Sequence, residues 1–247
     1  MNNIFNAPIH HIKICGSSMD EARLLVKERG AETGTVIITD FQKNGRGRKP
    51  SRVWEAEEGL SLLCTIIMRY KDFYDMPKAL PLQTGMCVLK AVVKTAPSLR
   101  GKTFVKWPND VMVNGKKAAG ILCETDGSYC LIGIGVNVAQ KTFPVKNAAS
   151  LLTESADEIN SESRFILLEH ILEHIFYDIK RGDDWIEELN KNLYMKENYI
   201  SFMKGEADSG KIVRGILKGV GENGELVVFC EDENKIKKFV SGEIILK

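Results

Sequence analysis

A glycine-rich basic loop that directly follows a β-branched run constrains this chain most. Residues 39–54 read TDFQKNGRGRKPSRVW, and residues 36–38 before them predict a strand. Gly45 and Gly47 let the backbone approach a ligand closely. Backbone N–H groups and guanidinium groups both suit anionic oxygens, so the loop predicts a phosphate site. Trp54 offers a flat face to a base or ring, and the loop's cations are Arg46, Arg48, Lys49 and Arg52.

Neither of the familiar phosphate-loop motifs fits this segment. G-x-G-x-x-G fails because Pro50 stands where the third glycine is required, and the Walker A motif lacks its G-K-[ST] ending. On the loop alone, a solvated basic surface or a nucleic-acid contact is therefore as consistent with the sequence as a phosphate site is. The remaining segments decide between these interpretations.

Composition favours a cytoplasmic protein with a sizeable core. The 247 residues suggest one large domain or two unequal ones, and the net charge of +1 does not favour a polyanion partner. The six cysteines contain no C-x-x-C pair, so we expect them to be reduced and mostly buried. No secretory signal and no apolar stretch of about 20 residues is present, so we expect no membrane partner.

Hydrophobic periodicity predicts alternating strands and helices, followed by a small β-module. Ser17 and Ser18 follow a short strand; one of them is expected to cap a helix, Ser18 with Glu21 forms an S-x-x-E capping box, and Gly30 ends the helix. The β-module is expected to pack against the rest of the chain. The predicted strands are 12–14, 35–40, 60–68, 104–106, 129–138, 212–217, 226–230, 236–240 and 244–246, and the other helices are 77–96, 162–181 and 183–193.

The segment TFVKWPNDVMVNGKKAAGILCET, residues 103–125, carries a hairpin and several charges. Asn114-Gly115 is the strongest short turn signal, and we interpret it as a turn only. Side-chain alternation puts Lys117 and Ala119 on one face and Ala118 and Gly120 on the other. The small residues leave room for a flat ligand against the sheet. Asp110 near two lysines is either a salt bridge or part of a site.

The strand YCLIGIGVNV and two helical histidines complete the candidate features. Gly133 and Gly135 inside a strand indicate a bulge or a close approach. Asn137 is a lone polar residue at the strand end, typical of a turn or cap. His170 and His174 have i, i+4 spacing, but Ile171 replaces the glutamate of H-E-x-x-H, which favours a solvated helix face over zinc.

Four ordered blocks, together with the C-terminal pattern closing in SGEI, resemble the biotin–protein ligases. The blocks are the GRGR loop with Gln42 and Trp54, KWPND at 106–110, GKKAAGIL at 115–122 and GIGVNV at 133–138. The resemblance implies an α+β fold: a mixed β-sheet with flanking helices, like class II synthetases and biotin–lipoate ligases, over residues 1–198. A small SH3-like β-barrel over residues 199–247 follows.

The resemblance also implies a two-step ligase that converts biotin and MgATP to biotinyl-5′-AMP and then acylates a lysine of a biotin carboxyl carrier protein. It implies biotin contacts from Ser17, Ser18, Met19, Gln42, Gly45, Arg46, Gly47, Arg48, Lys117 and Gly120. It implies ATP contacts from Arg48, Lys49, Arg52, Trp54, Lys106, Asn109, Lys117 and Asn137. Mg²⁺ would be carried by ATP rather than by a protein cluster, and a homodimer is left open.

The implied chemistry assigns three residues to the reaction. Biotin's carboxylate and the α-phosphate repel each other until cations bridge them, and Arg48 and Lys117 are the candidates. Asp110 would orient the attacking lysine first and act as a base second. Because water destroys the adenylate, we expect the loop to be mobile without ligand and to order over it.

Two departures and three rivals qualify this interpretation. The loop carries one residue more than the family pattern and lacks its third glycine, which puts the roles of Lys49 and Arg52 in doubt. Only about ten residues precede the first strand, so we expect no DNA-binding domain. The rivals are a lipoate–protein ligase, a nucleic-acid-binding module that uses the loop, and a degenerate ligase that binds biotin without turnover.

Overall fold

The computed structural model describes residues 1–49, 52–179, 185–205 and 211–245. Its first strands and helices are β1 Ile9–Cys15, α1 Ser18–Arg29, β2 Thr35–Gln42, β3 Ser61–Arg69, α2 Leu80–Thr95, β4 Thr103–Lys106, β5 Asp110–Val113, β6 Lys116–Asp126 and β7 Tyr129–Asn137. The others are α3 Leu151–Glu154, α4 Ser163–His174, α5 Trp185–Lys191, β8 Tyr199–Lys204, β9 Lys211–Val220, β10 Leu226–Cys230, β11 Lys235–Phe239 and β12 Gly242–Ile245.

The larger sheet has seven strands in the order β1-β2-β3-β7-β6-β5-β4. β1 pairs parallel with β2, and every other neighbouring pair is antiparallel. β3, with the sequence SLLCTIIMR, is buried along almost its whole length, which explains its central place. The mixed sheet with flanking helices confirms the predicted α+β class.

Helices cover the two faces of this sheet unequally. α2 and α4 contribute to a large core with the face that carries Ile66 and Ile132. α1 covers the other face with a small cluster centred on Met19, Ile67 and Leu131. This second face is therefore only partly covered, and the remaining part is free to form a site. Among the described residues, none of the helices has the length and apolar character needed to cross a membrane.

The C-terminal strands form a separate antiparallel sheet in the order β11-β10-β9-β8-β12. β8 was not predicted, because its alternating segment YISFMK lacks a strong turn signal and pairs with β9 and β12, which come later in the chain. The predicted strand 244–246 is observed as β12, with residue 246 outside the described residues. The division into domains at residue 198 and the SH3-like assignment stay predictions.

Local helix signals were partly wrong. Ser17, not Ser18, occupies the N-cap of α1, and its side chain makes no capping hydrogen bond. The Ser18–Glu21 capping box is wrong, because the Ser18 hydroxyl bonds the Thr65 hydroxyl at 2.9 Å. Gly30 ends α1 as predicted.

The later helices are shorter than their sequence patterns suggested. α2 begins three residues later than predicted, at Leu80. α4 ends at His174 and continues as a π-helical turn to Ile179. Residues 180–184, which include the end of the predicted helix 162–181 and the start of the predicted helix 183–193, lie outside the described residues. α5 covers only Trp185–Lys191.

Candidate functional site

A cavity of about 130 Å³ lies between the partly covered sheet face, the basic loop and the C-terminal sheet. Most sequence-predicted site residues line it: Ser17, Ser18, Met19, Gln42, Arg46, Gly47, Arg48, Lys49, Arg52, Trp54, Lys106, Asn109, Asp110, Lys117 and Gly120. The predicted residues Gly45 and Asn137 are not among its lining residues. Residues separated widely in the sequence thus converge on one concave surface.

Glycines make the floor of the cavity flat. Gly120 of β6 lies directly opposite Gly135 of β7, and both belong to the lining. A Cβ at Gly135 would lie 2.7 Å from the Trp54 indole, and one at Gly133 would lie 2.8 Å from the Met19 sulfur. The predicted close approach at both strand glycines is therefore confirmed. Trp54 packs over one end of the floor and Met19 over the other.

Alanine substitutions at Gly135 and Gly133 are expected to have different effects. Gly135→Ala must displace the Trp54 ring, whereas Gly133→Ala displaces the flexible Met19 side chain and meets the Leu122 carbonyl oxygen at an ordinary contact distance of 3.4 Å. On the contacts that the resemblance implies, ATP at Trp54 and biotin at Met19, we expect Gly135→Ala to raise KM for ATP about 10–100-fold with a smaller change for biotin, since stacking of a base on an aromatic ring contributes about 1–3 kcal/mol. Gly133→Ala should affect mainly KM for biotin. Steady-state kinetics with each substrate varied in turn checks both; equal effects would contradict the assignment of the two ends.

Polar groups cluster at the Met19 end. The Ser18 backbone N–H donates to Gln42 Oε1 at 2.8 Å, which fixes the Gln42 amide at the cavity wall. Ser17 is almost fully buried, and its hydroxyl is not used to cap α1. This end therefore offers a hydroxyl and an amide group inside a mostly closed space, which suits a small neutral polar ring.

Two lysines flank one carboxylate in the middle of the cavity. Lys117 Nζ lies 2.6 Å from Asp110 Oδ1, and Lys106 Nζ lies 3.9 Å from Asp110 Oδ2. Lys106 is only 4% exposed. Burial lowers the pKa of its ammonium group, and Asp110 offsets this only partly. The centre of the site thus holds more positive than negative charge, which favours binding of an anion.

A β-bulge in β6 determines that the Lys117 side chain points toward Gly120. The register of β5 and β6 shifts so that Val111 faces Ala119 while Met112 faces Lys117. Lys117 Nζ consequently lies 3.4 Å from the Cβ position of Gly120, and 5.6 Å from the centroid of the Trp54 ring. The predicted alternation, which separated Lys117 from Gly120, is wrong because the bulge inserts one extra residue.

The C-terminal sheet contributes a residue that sequence reasoning missed. Glu243 of β12 lines the cavity and lies 3.2 Å from Lys49 Nζ and 2.8 Å from Arg52 Nη1. Burial alone would raise the pKa of Glu243, but the two cations outweigh it and hold the pKa below its usual value. The SGEI ending marked this segment, but nothing in the sequence connected it to the loop about 190 residues earlier.

Arg48 and Arg46 leave the loop in different directions. Arg48 Nη2 donates to the Gly242 carbonyl at 2.8 Å, and burial lowers the pKa of its guanidinium. Arg46 Nη2 instead reaches Asp20 of α1 at 2.6 Å. The cations of the loop are therefore divided between the two sheets, and the described part of the loop is attached on both sides.

Two predicted site residues, Asn137 and Gly45, make structural contacts outside the cavity lining. Asn137 donates from Nδ2 to the Ala149 carbonyl at 3.0 Å, as the alternative turn or cap interpretation stated. That amide is buried and outside the cavity lining, and the ATP contact of Asn137 stays a prediction. A Cβ at Gly45 would lie 2.4 Å from the Trp54 carbonyl oxygen, so Gly45 serves the loop backbone.

The two histidines of α4 make separate contacts. His170 Nδ1 lies 3.0 Å from the Thr95 hydroxyl, and His174 Nδ1 lies 3.2 Å from Asp178 Oδ2. Within the part of the chain that the structure describes, no group of three or more His, Cys, Asp or Glu side chains is placed to hold a metal ion. These contacts agree with a structural role for both histidines.

Comparisons with known proteins show the family to which the chain belongs. Residues 14–138 match the family model described as the Biotin/lipoate A/B protein ligase family. The chain is 31% identical over 250 residues to the bifunctional ligase/repressor BirA of Bacillus subtilis, covering 96% of this chain and 73% of that protein. It is 36% identical over 121 residues to the biotin–[acetyl-CoA-carboxylase] ligase of Mycobacterium tuberculosis, covering 48% of this chain and 45% of that protein.

The structure is also similar to a solved one. Biotin protein ligase from Aquifex aeolicus, in complex with biotin and ATP, superposes with a TM-score of 0.78 at 25% identity, covering 97% of this chain and 98% of that chain. The glycine floor and most of the cavity lining lie within the residues that the family model matches. The chain therefore belongs to the biotin/lipoate A/B protein ligase family.

Proposed function

We propose that this chain is a biotin–protein ligase that activates biotin with ATP and transfers it to a lysine of a biotin carboxyl carrier protein. The observation that carries the proposal is the position of the Lys117 ammonium over the glycine floor, beside Asp110 and between the polar Met19 end and the cationic loop. Biotin would occupy the Met19 end and the nucleotide the Trp54 end, so the two reacting anions meet at Lys117.

The first step joins the two substrates at the centre of the cavity. A biotin carboxylate oxygen attacks the α-phosphorus of ATP, the bond from that phosphorus to the β-phosphate bridging oxygen breaks, and pyrophosphate leaves with the bond electrons. Lys117 and Arg48 would neutralise the charge that gathers around the α-phosphorus. Lys106, Lys49 and Arg52 would hold the remaining phosphates, and catalysis rests mainly on positioning.

The second step transfers the acyl group. The carrier lysine, as a neutral amine, attacks the acyl carbon of biotinyl-5′-AMP, the acyl C–O bond breaks, AMP leaves with the bond electrons, and the amine proton passes to Asp110 or to water. Asp110 is suited to orient that amine, because its carboxylate already faces two ammonium groups in the cavity. Free lysine has a pKa of about 10.4, so the orientation of its small neutral fraction matters.

Mg²⁺ would enter with the ATP phosphates and supply further charge neutralisation there. The described lining offers the phosphates several cations, and its two carboxylates, Asp110 and Glu243, each lie beside lysine or arginine side chains. Glu243 holds Lys49 and Arg52 at the nucleotide end and fixes where those cations point. The protein's own contribution is thus a positively charged pocket of defined shape.

Lys106 predicts a pH dependence for nucleotide binding. Burial lowers the pKa of Lys106 in the free protein, and a bound triphosphate would raise it again by favouring the ammonium form. Binding therefore takes up a proton, and affinity for ATP should fall as pH rises through the lowered pKa. Titration calorimetry at a series of pH values from neutral up to the usual lysine pKa of about 10.4 checks this. Lys106→Arg, which stays charged, should remove the dependence, and an unchanged slope in that variant would contradict it.

The proposed function is tested by substrate choice. Wild-type chain with MgATP and either biotin or lipoate is assayed for pyrophosphate release, and labelling of a biotin carboxyl carrier domain is followed in parallel. We expect release and labelling with biotin and little with lipoate, since Ser17 and Gln42 offer polar partners that a long apolar acid would leave unused. Preference for lipoate would favour the lipoate ligase. Biotin binding without pyrophosphate release would favour the degenerate ligase.

A further inference from the structure

Arg46 stands at the base of a small hairpin formed by the basic loop. It pairs with Val53 in an isolated antiparallel bridge, and the Trp54 N–H donates to the Gly45 carbonyl at 2.9 Å. Gly47 N–H donates to the Arg52 carbonyl at 2.8 Å, so both arms of the hairpin are bonded. Whatever holds Arg46 therefore holds the whole base of the loop.

Two carboxylates outside the proposed substrate contacts hold the Arg46 side chain. Nη2 lies 2.6 Å from Asp20 Oδ1 and Nη1 lies 3.2 Å from Asp20 Oδ2, a bidentate pair. Nε lies 4.0 Å from Glu124 Oε1. All three guanidinium nitrogens thus face a carboxylate. Bidentate geometry within a charge network is the case in which exposed ion pairs contribute measurably.

Arg23, which lies outside the loop, holds both of these carboxylates in position. Its Nη1 donates to Asp20 Oδ1 at 2.9 Å, and its Nη2 donates to Glu124. Asp20 lies in the first turn of α1, and Glu124 lies on β6. Arg23 links α1 to β6 and holds the Asp20 and Glu124 carboxylates at a fixed separation. The two carboxylates form a binding site for the Arg46 guanidinium, which we call the carboxylate pair.

The carboxylate pair lies beyond the Met19 end of the cavity. Leu122 of β6 faces Gly133 on the cavity floor, and Glu124 follows two residues later on the same face, opposite Leu131. Asp20 comes directly after Met19 in α1. The contact between Arg46 and these carboxylates therefore closes the loop over the end at which we place biotin.

We propose that Asp20 and Glu124 are positioning residues that act through Arg46 to keep the basic loop closed over biotinyl-5′-AMP. The inference rests on the proposed function, because it needs an adenylate to retain. Asp20 is 47% exposed and Glu124 32% exposed at the side chain, so water and salt weaken the contact without abolishing it. Such a contact slows escape of the reactive adenylate while still allowing the loop to open for the carrier lysine.

The test follows the adenylate on the full chain. Wild type and the variants Asp20→Asn and Glu124→Gln are loaded with labelled biotin and MgATP and then diluted into excess unlabelled biotin. We expect each variant to release adenylate about tenfold faster, equivalent to about 1.4 kcal/mol. The rate of adenylate formation in a single turnover should change less than about threefold. Added salt should speed release from wild type more than from the variants.

Control variants distinguish an effect on the position of the loop from a lost contact with the adenylate and from a general loss of stability. Glu173→Gln removes an ion pair of similar exposure, between Lys94 and α4, and should leave release unchanged. Arg46→Gln alone and combined with Asp20→Asn should release adenylate at similar rates, because both act through one contact. Multiplied effects in that double variant, or release unchanged in both single variants, would overturn the inference. A wild type that forms no adenylate would instead overturn the proposed function, and this inference with it.

Discussion

Replacing Lys117 with alanine is expected to slow adenylate formation by about 10²–10³-fold, the loss typical when one charge-stabilising donor is removed from a transition state. Its ammonium group lies 2.6 Å from Asp110 and 3.4 Å from the Cβ position of Gly120, where the two substrate anions would meet. Without it, Lys106 remains near Asp110, at 3.9 Å, and Arg48 remains as the other cation proposed at the α-phosphorus. Single-turnover release of pyrophosphate measures the effect.

The neighbouring residue supplies a matched control for this prediction. Lys116 carries the same charge one position earlier, is exposed, and donates to Glu154 at 2.8 Å outside the cavity lining. Lys116→Ala should therefore change the rate less than about twofold, since isolated surface ion pairs contribute little. Equal losses in Lys116→Ala and Lys117→Ala would show a general electrostatic effect. An unaffected Lys117→Ala would contradict the position proposed for the reacting groups.

Trp107→Ala is expected to lower the free energy of unfolding by about 3–5 kcal/mol, the range for deleting a large buried aromatic side chain. Trp107 is 1% exposed and packs edge-on against Phe202 of the C-terminal sheet, with ring centroids 5.8 Å apart. Its Nε1 donates to the Gly224 carbonyl at 2.9 Å. The residue therefore links the two sheets as well as filling the core.

Denaturant unfolding distinguishes the two contributions of Trp107. Trp107→Phe keeps a ring against Phe202 but leaves the Gly224 carbonyl without its donor, so we expect a smaller loss of about 1–3 kcal/mol. If the link between the sheets is lost in Trp107→Ala, unfolding should separate into two transitions. A single transition with a loss below about 1 kcal/mol would contradict both the packing and the linking role.

Features that depend on neighbouring residues in the chain could be predicted from the sequence. Asn114 and Gly115 both have positive φ, 48° and 78°, as the predicted tight hairpin turn requires. The floor glycines were identified as a close approach because a strand seldom carries glycine without such a reason. The resemblance to biotin–protein ligases rested on short motifs of this kind and led to the family that the comparisons confirmed.

Features that depend on register could not be predicted. The bulge that turns Lys117 toward Gly120 adds one residue to β6, and side-chain alternation contains no signal for it. Asn137 carries the polar character of a site residue, but its amide donates to the Ala149 carbonyl. In both cases the residue type was informative, while the direction of the side chain followed from strand pairing.

The sequence by itself determined most of the strands, the hairpin turn, the basic loop and the family, because these depend on periodicity and on motifs a few residues long. Only the tertiary structure decided what holds the loop. Glu243 reaches Lys49 and Arg52 from the last strand, and Asp20 reaches Arg46 from the first helix. An ion pair requires opposite charges within about 4 Å, and a chain with almost equal numbers of both signs offers too many possible pairs for the sequence to select among them.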